Sequence, residues 1–360
     1  MQTLLVNKNN PADTALIQAK ADKLADGHIR VSIGPWALTA NNITYIITGE
    51  QIGYWKYFAP EAYGIALENM GRMPVWGYGT VQESHCPDVP IGTEIYGFFP
   101  VADQIDLKPV KLNSLGFQDG TDHRVNLHSV YNNYRYTKAD PSFDSFRDLQ
   151  PVLRPLFTTS FLIDDFLAQE NFFGAEQVLL LSASSKTALG TAYCLKQRGD
   201  IRVSGLTSEK NKAFVEETGF YDLIATYDTI TDLNPDIKTA VVDMAGNGRV
   251  MATLYDHFEE NLIYNCMVGK SHWTGSKPPN SGASAKPIMF FAPDRAKQRI
   301  KDWGAEGFAK NLSAHWVPFC ERASDWLRVE TATGIGPVLA CYKSLLDGSS
   351  DPSQASLFKL

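Results

Sequence analysis

The sequence predicts a two-domain α/β protein, with a β-rich, barrel-like domain followed by a doubly wound parallel sheet. The first 150 residues are rich in Gly, Pro and aromatic side chains and carry short apolar runs. From about residue 150 to 300, continuous apolar strands alternate with helices. Within that region, a strand beginning at Gln177 runs through a loop of small residues into a helix. A chain of 360 residues suffices for two domains of roughly 100–200 residues each.

The predicted first domain covers residues 1–150. Runs such as 74–81 and 91–99 are short, apolar and bounded by Gly or Pro, which is typical of strands in a barrel-like sheet. The second domain is predicted over 151–300, and residues 301–360 form a mainly helical C-terminal segment. The helices expected near the C-terminus are Asp294–Gly304 and Ile335–Leu346.

The second domain is predicted to open with a helix over Pro151–Glu170 and then to alternate strand and helix. Its apolar runs are continuous, so the strands are expected to be buried on both faces of a parallel sheet. The predicted strands are 178–181, 201–206, 223–225, 240–244 and 262–268. The predicted helices between them are 188–198, 209–218 and 247–259.

The composition disfavours several classes of partner and site. The net charge is −7 and no basic stripe stands out, so we expect no nucleic-acid partner. The N-terminus lacks a basic start followed by an apolar stretch, and the uncharged stretch 31–49 contains Asn, Pro and Thr, so we expect no signal peptide and no membrane span. The five cysteines are scattered, which favours reduced thiols in the cytoplasm and no structural zinc.

The loop between the strand at 178–181 and the next helix is predicted to bind a phosphate. Small residues let a phosphate approach the backbone, and the helix N-terminus points its amides towards it. The usual G-x-G-x-x-G pattern is absent, and only Gly190 remains as a clear glycine. Lys186 either reaches a phosphate or lies exposed in the loop. The candidate cofactor contacts in this loop are Ser184, Ser185, Lys186 and Thr187.

Residues that follow the second strand favour NADPH over NADH. Sheets that prefer NAD place an acidic residue at this strand end to bind the ribose 2′-hydroxyl. Here Thr207 and Ser208 occupy the place, with Lys210 and Lys212 close by, and hydroxyl and ammonium groups suit a 2′-phosphate. The same hydroxyls can also cap the next helix. Residues after three further strands complete the predicted cofactor crevice: Tyr227, Gly246 and Gly269.

Four stretches of the sequence resemble the medium-chain dehydrogenase/reductase superfamily, in its zinc-free quinone-oxidoreductase-like branch. They are Asn41–Gly49, the turn Gly92–Gly97, the pair Thr207–Lys210 with Gly219–Ile224, and Val241–Gly246. Their order and spacing carry the resemblance, which covers most of the chain. The sequence is also similar to a DUF2855-like family of unassigned function within this superfamily.

The resemblance implies a GroES-like barrel built from the N-terminal region together with residues 301–360, and a Rossmann domain between them. It implies NADPH as cofactor, hydride transfer to a small enone, quinone or ketone, and a homodimer. In the stretch that matches the family's proton donor, the candidate catalytic residues are Tyr54, Tyr45 and Asn42. The phosphate loop departs from the family because it is longer and lacks the glycines. The catalytic-zinc arrangement is missing, so we expect no metal.

Two other functions remain open from the sequence. The altered phosphate loop and the absence of an evident catalytic group suit a protein that binds NADPH without turnover. A relative of the fold that has lost nucleotide binding would instead hold another anion at the serine-rich loop and Lys186.

Overall fold

The structure is a computed structural model and describes residues 1–20, 22–269 and 285–360. The chain divides into two compact units, Met1–Val152 with Val329–Leu360, and Leu153–Arg328. The sequence led us to expect the second boundary near residue 300. The structure instead keeps the following stretch in the second unit, because Phe319 stacks on Phe157 with ring centroids 4.5 Å apart.

The N-terminal part of the first unit is mostly β-structure. Its strands are β1 (Gln2–Asn7), β2 (Thr14–Gln18), β3 (Ile29–Leu38), β4 (Met70–Arg72), β5 (Pro74–Ser84), β6 (Glu94–Pro100), β7 (Gln104–Leu107), β8 (Pro109–Asn113), β9 (Gly116–Asp119) and β10 (Asn133–Tyr136). Its α-helices are α1 (Ala40–Ile47), α2 (Gly49–Ile52) and α3 (Ser142–Ser145). Strands β2, β1 and β4 form a small antiparallel sheet.

The glycines of β5 and β6 are required by close packing. A Cβ added to Gly97 would lie 2.4 Å from Cδ1 of Tyr134, and one added to Gly79 would lie 2.4 Å from Cγ1 of Val31. Such distances leave no room for a side chain in an interior packed as densely as a crystal. The richness in Gly and aromatic residues noted in the sequence therefore reflects rings that pack directly against strand backbone.

The second unit is a parallel sheet with alternating helices. Its strands are β11 (Gln177–Leu181), β12 (Arg202–Thr207), β13 (Leu223–Thr226), β14 (Thr239–Asp243), β15 (Leu262–Met267) and β16 (Pro287–Met289). The α-helices that lead into it and belong to it are α4 (Leu149–Gln169), α5 (Lys186–Arg198), α6 (Glu209–Thr218), α7 (Gly248–Phe258) and α8 (Ala292–Trp326). The predicted alternation of strands and helices is confirmed. The sequence missed β16, because three residues are too few to show a period.

The order of the parallel strands is β13-β12-β11-β14-β15-β16. The chain therefore winds outwards from β11 in one direction and then from β14 in the other. In doubly wound sheets, ligands bind at this switch point, outside the carboxyl ends of the strands. The loops that follow Leu181, Thr207 and Asp243 are therefore the candidate ligand-binding loops.

The C-terminal residues return to the first unit, as the resemblance implied. They form β17 (Arg328–Thr333), α9 (Ile335–Leu346) and β18 (Gln354–Lys359). Strand β18 pairs with β3 and completes a sheet with the order β17-β18-β3-β5-β6-β10-β9-β8, to which β7 adds by pairing with β3. The predicted fold class, a GroES-like β-unit together with a doubly wound α/β unit, is confirmed. Within the described ranges, no helix is both long and apolar enough to span a lipid bilayer.

Candidate functional site

The loop after β11 has a backbone turn suited to a phosphate, although a serine stands where such turns usually have a glycine. Ser182 has a φ of 52°, in the left-handed region that glycine normally occupies. The Ser185 amide donates to Ser182 O at 2.7 Å, and the Ser185 hydroxyl then accepts the Ala188 amide at 3.2 Å as the N-cap of α5. The first amides of α5 therefore point outwards beside the end of β11, which is a suitable environment for an anion.

Gly190 brings α5 close to α4. A Cβ at this position would lie 2.6 Å from the Ser160 hydroxyl oxygen and 3.2 Å from Cδ2 of Phe157. The Ser160 hydroxyl donates to Thr187 O at 2.7 Å. The one glycine that the sequence retains from the usual pattern thus serves helix packing, while Thr187 uses its carbonyl to hold α5 in place.

Ser184 lies half-buried between the loop and the end of β12. Its hydroxyl oxygen accepts a hydrogen bond from Nδ2 of Asn211 at 3.0 Å and lies 3.5 Å from the donating hydroxyl of Thr207. With its oxygen accepting, the Ser184 hydroxyl keeps its own hydrogen for another acceptor. Asn211 was missed from the sequence, although its position in the first turn of the helix after the second strand was a usable signal.

The polar residues after β12 comprise two hydroxyl side chains and two lysines. Thr207 is buried at the strand end, and Ser208 is the N-cap of α6, but its side chain makes no capping hydrogen bond. The capping role considered for Ser208 is thus not used. Lys210 is exposed, whereas Lys212 pairs with Glu216 one turn along α6 at 2.5 Å, and hydrogen bonding to Glu216 raises the pKa of Lys212. Lys186 is half-buried at the first position of α5.

Tyr227 and Gly246 also lie at strand ends, as predicted. The Tyr227 hydroxyl accepts the Ser182 amide at 3.2 Å, and burial raises the pKa of this phenol. Gly246 has a φ of 72°, and its amide donates to the buried carboxylate of Asp243 at 2.9 Å. Gly269 is buried, with its amide 3.5 Å from Asp243 O. Asp243 therefore organises the ends of both β14 and β15, a role that its place in the Val241–Gly246 stretch had not revealed.

In the first unit, Tyr54 and Tyr45 belong to a cluster of buried aromatic side chains. Their ring centroids are 4.5 Å apart. The Tyr54 and Tyr131 hydroxyl oxygens are 3.0 Å apart, and Trp76 donates its indole N–H to the Tyr45 hydroxyl at 3.1 Å. Burial raises the pKa of Tyr45 to about 12 and that of Tyr54 further. Both phenols are therefore protonated at neutral pH and able to act as hydrogen-bond or proton donors.

The Asn42 side chain has a structural role at the N-terminus of α1. Its side-chain oxygen accepts the Thr39 amide at 2.7 Å in the capping box of α1, and its Nδ2 donates to Pro74 O at 2.8 Å. These contacts hold α1 against β5 and occupy both ends of the amide. The sequence had made Asn42 a candidate catalytic residue, and we leave it out of the group proposed below because its hydrogen bonds stabilise the helix terminus.

Tyr131 was not predicted from the sequence, because 77 residues separate it from its partner Tyr54. It lies in a short 3-10 helix at Ser129–Asn132. Nη2 of the fully buried Arg124 donates to Tyr131 O at 2.7 Å, and Nη1 of Arg124 lies 2.9 Å from Oδ2 of buried Asp119. A buried ion pair thus fixes the backbone that carries the Tyr131 ring.

Metal ligands do not cluster in the part of the chain that the structure describes. No group of three or more His, Cys, Asp or Glu side chains is placed to hold a metal ion within residues 1–20, 22–269 and 285–360. At the His85–Cys86 pair, Cys86 is buried and the His85 ring nitrogens lie 3.8–4.0 Å from carboxylates of Glu83 and Asp26.

Comparison with solved structures supports the fold. The chain is similar to the yhdH oxidoreductase from Salmonella enterica in complex with NADP, with 13% identity, a TM-score of 0.54 and 100% of each chain covered. It is similar to CurA from Vibrio vulnificus in complex with NADPH, with 13% identity, a TM-score of 0.60, and 100% of this chain and 99% of CurA covered. The CurK enoyl reductase matches with 10% identity, a TM-score of 0.51, and 99% of this chain and 98% of CurK covered.

At these identities, the similarity to solved structures concerns the fold. Comparison with the sequences of curated proteins finds no match. Residues 36–351 match the family described as "Protein of unknown function (DUF2855)". This match covers most of the chain, including parts of both units, so the chain belongs to the DUF2855 family.

Proposed function

We propose that the chain is a zinc-independent, NADPH-dependent oxidoreductase that transfers a hydride to a small enone, quinone or ketone. The observation that carries this proposal is the arrangement at the end of β11, where the N-terminus of α5 and the Ser184 hydroxyl meet the Thr207 hydroxyl at the end of β12. Hydroxyl donors beside a helix N-terminus suit the phosphates of a dinucleotide. The fold is shared along the full chain with an oxidoreductase in complex with NADP and with CurA in complex with NADPH.

The residues of the loop fit the proposed cofactor. The first-turn amides of α5, with Lys186 and Thr187, would face the pyrophosphate, and Ser185 keeps its hydroxyl hydrogen because its oxygen caps α5. Ser184 and Thr207, with Ser208 and Lys210, would hold the 2′-phosphate. The ribose and the nicotinamide would lie along Tyr227, Gly246 and Gly269. When bound, the nicotinamide supplies the hydride.

The preference for NADPH rests on charge and hydrogen-bonding type. An acidic residue at the end of β12 would accept hydrogen bonds from a ribose 2′-hydroxyl and repel a 2′-phosphate. This chain has Thr207 there, and Lys210 is exposed nearby. Lys212 would attract the 2′-phosphate less strongly than an unpaired lysine, because Glu216 already neutralises part of its charge.

The proposed proton donor is a tyrosine of the first unit. Tyr54 and Tyr45 are protonated at neutral pH, because burial raises both pKa values. A phenol can donate to the atom that becomes negative when a hydride is added to an enone or a carbonyl. Tyr54 is the favoured donor, because Tyr54–Trp55 resembles the stretch in which the enoyl reductases of the superfamily carry their proton donor.

Nucleotide titration tests the cofactor assignment. Quenching of tryptophan fluorescence, or calorimetry, should give NADPH an affinity higher than that of NADH by about 10-fold or more, the factor that about 1.4 kcal/mol of 2′-phosphate contacts supplies. Lys210→Ala should weaken NADPH binding and leave NADH binding unchanged. Lys238→Ala is the matched control, because this exposed lysine precedes β14 at the opposite end of the strands. Absence of binding by both nucleotides would refute the proposal.

An NADPH-binding protein without turnover is the second candidate function. It is favoured by the burial of both tyrosines, of which Tyr54 is 6% and Tyr45 5% exposed. Oxidation of NADPH in the presence of an enone, a quinone or a ketone would exclude it. Tight NADPH binding with no oxidation by any of the three would instead exclude the oxidoreductase.

We also propose the homodimer and the cytoplasmic location that the sequence favoured. Strand β16 ends the parallel sheet, and its Ile288 and Met289 are 52% and 40% exposed. Apolar side chains on an edge strand favour pairing with a second copy. Light scattering should give twice the chain mass, and Ile288→Lys should halve it. The five cysteines are free, as in a reducing compartment, and cell fractionation tests this location.

A further inference from the structure

We propose that Tyr131 is a positioning residue, which donates a hydrogen bond to the Tyr54 hydroxyl and thereby directs the Tyr54 O–H towards the substrate. This inference rests on the proposed function and deepens it, because it names how the proton donor is held. It begins from the 3.0 Å separation of the two hydroxyl oxygens.

The pair has one hydrogen more than its mutual bond can use. Each phenol carries a single hydroxyl hydrogen, and only one of the two can lie between the oxygens. Among the residues that the structure describes, neither hydroxyl has another hydrogen-bond partner. One of the two tyrosines therefore keeps a hydroxyl hydrogen for an acceptor outside this pair.

The surroundings of the rings favour Tyr131 as the donor of the bridging hydrogen. Its ring is enclosed by five aromatic side chains, whereas the Tyr54 ring contacts only two of this cluster, Tyr45 and Tyr131 itself. The rings that enclose Tyr131 are Tyr45, Tyr54, Tyr57, Trp76 and Phe98. Among the described residues the Tyr131 hydroxyl bonds only to that of Tyr54, so a hydrogen pointed elsewhere into this aromatic shell would be unpaired, which is costly. Tyr131 avoids that cost by donating to Tyr54.

Proton affinity favours the same direction. Burial raises the pKa of both phenols. A hydrogen bond donated by Tyr131 stabilises the phenolate of Tyr54 and so lowers the pKa of Tyr54.

The backbone that carries Tyr131 is held firmly. Arg124 donates to Tyr131 O at 2.7 Å, and the Tyr131 amide donates to His128 O at 3.2 Å. Arg124 is in turn paired with Asp119, and both side chains are at most 1% exposed. A fixed donor gives the Tyr54 hydroxyl one preferred orientation, which is the condition for efficient proton transfer.

Tyr54 supplies the proton that completes the reduction. With NADPH oxidised to NADP+ and its hydride bonded to a substrate carbon, the reduced substrate would carry negative charge. The Tyr54 O–H bond would then break as its proton bonds to that substrate. Tyr54 is left as a phenolate, which accepts the hydrogen bond from Tyr131. A proton from solvent then restores the Tyr54 phenol.

A double-mutant cycle tests this role in the full-length protein, with NADPH and 3-buten-2-one as the probes. Tyr131→Phe should lower kcat about 10-fold, a part of the factor that a positioned general acid supplies, with KM and NADPH affinity unchanged. The solvent isotope effect on kcat should rise, because proton transfer becomes slower. In a Tyr54→Phe background, Tyr131→Phe should cause no further loss. An equal loss in both backgrounds, or an unchanged kcat, would overturn the proposal.

Tyr57→Phe is the matched control. Its hydroxyl belongs to the same cluster but donates to His128 O at 3.1 Å rather than to Tyr54. It should leave kcat and the isotope effect unchanged. A loss equal to that of Tyr131→Phe would assign the effect to packing of the cluster and contradict the proposal.

Melting temperatures decide the direction of the hydrogen bond without turnover. If Tyr131 donates, Tyr54→Phe leaves an enclosed hydrogen without an acceptor and should lower the melting temperature more than Tyr131→Phe does. The reverse order would overturn the assigned direction. If the wild-type protein is folded but does not oxidise NADPH, the proposed function fails and the role of Tyr131 in the reaction fails with it. The melting order then still decides which tyrosine donates.

Discussion

Replacing Gly190 by alanine tests the packing that places α5 at the phosphate loop. The added Cβ would lie 2.6 Å from the Ser160 hydroxyl oxygen, 3.0 Å from its Cβ and 3.2 Å from Cδ2 of Phe157. Both neighbours belong to α4 and are buried, with Ser160 0% exposed and Phe157 1% exposed. The clash can be relieved only by moving α5 or by rotating the Ser160 hydroxyl away from Thr187.

Three contributions set the change that Gly190→Ala causes in the free energy of unfolding. Alanine favours the helix over glycine by about 1 kcal/mol. Forcing an extra methyl group into a packed core costs about 1–3 kcal/mol. Losing the hydrogen bond from Ser160 to Thr187 O costs about 1 kcal/mol more. The expected result is a destabilisation of about 2 kcal/mol, or a melting temperature lower by about 4–8 °C for a unit of this size.

Urea unfolding followed by circular dichroism measures this change, together with NADPH titration for the loop. Gly336→Ala is the matched control, because Gly336 lies in the first turn of α9 and a Cβ there would meet nothing within 4 Å. It should be neutral or stabilising by up to about 1 kcal/mol. In a Ser160→Ala background, Gly190→Ala should cost about 1 kcal/mol less than in the wild type. A Gly190→Ala protein at least as stable as the wild type would refute the reasoning.

Four further substitutions at three positions test the loop, the buried ion pair and one half-buried carboxylate. Ser182→Gly removes a left-handed side-chain conformation and should stabilise the protein by about 1 kcal/mol in urea unfolding, whereas Ser182→Val should destabilise it. Asp119→Ala leaves Arg124 buried without its charge partner and should cost about 3–5 kcal/mol, measured in the same way, and a cost below about 1 kcal/mol would contradict this. Hydrogen bonding from Arg147 holds the pKa of Glu94 below its usual range. The stability that Glu94 contributes is therefore present above the ordinary glutamate pKa of about 4.3 and lost as the pH falls through the lower folded-state value, so Glu94→Gln should reduce the acid sensitivity of the melting temperature.

The sequence predicted the second unit well because its signals are local. Strands such as β11 and β14 contain the apolar runs 178–181 and 240–242, and every residue in both strands is buried. A run of this kind requires cover on both faces, and a parallel sheet with alternating helices provides it. The predicted cofactor residues at the strand ends follow from the same topology, because parallel strands deliver all their carboxyl ends to one edge.

The contacts within the candidate site were not available from the sequence. Nothing local predicts that Ser182 takes a left-handed conformation or that its amide is bound by Tyr227, 45 residues later. The position of Asn211 in the first turn of α6 was a usable signal, but its contact with Ser184 in the loop after the neighbouring strand is visible only in the structure. Asn42 was given a catalytic role by resemblance, whereas its hydrogen bonds place it in a helix cap.

The sequence by itself determined the fold class, the family resemblance and the polar residues that end the parallel strands, because hydrophobic period and short motifs are properties of neighbouring residues. Tertiary structure decided which of those residues meet. It assigned residues 301–328 to the second unit through aromatic packing on α4, and it paired Tyr54 with Tyr131 across 77 positions of the chain. Hydrogen-bond partners are chosen by three-dimensional proximity, and proximity between distant segments exists only after the chain has folded.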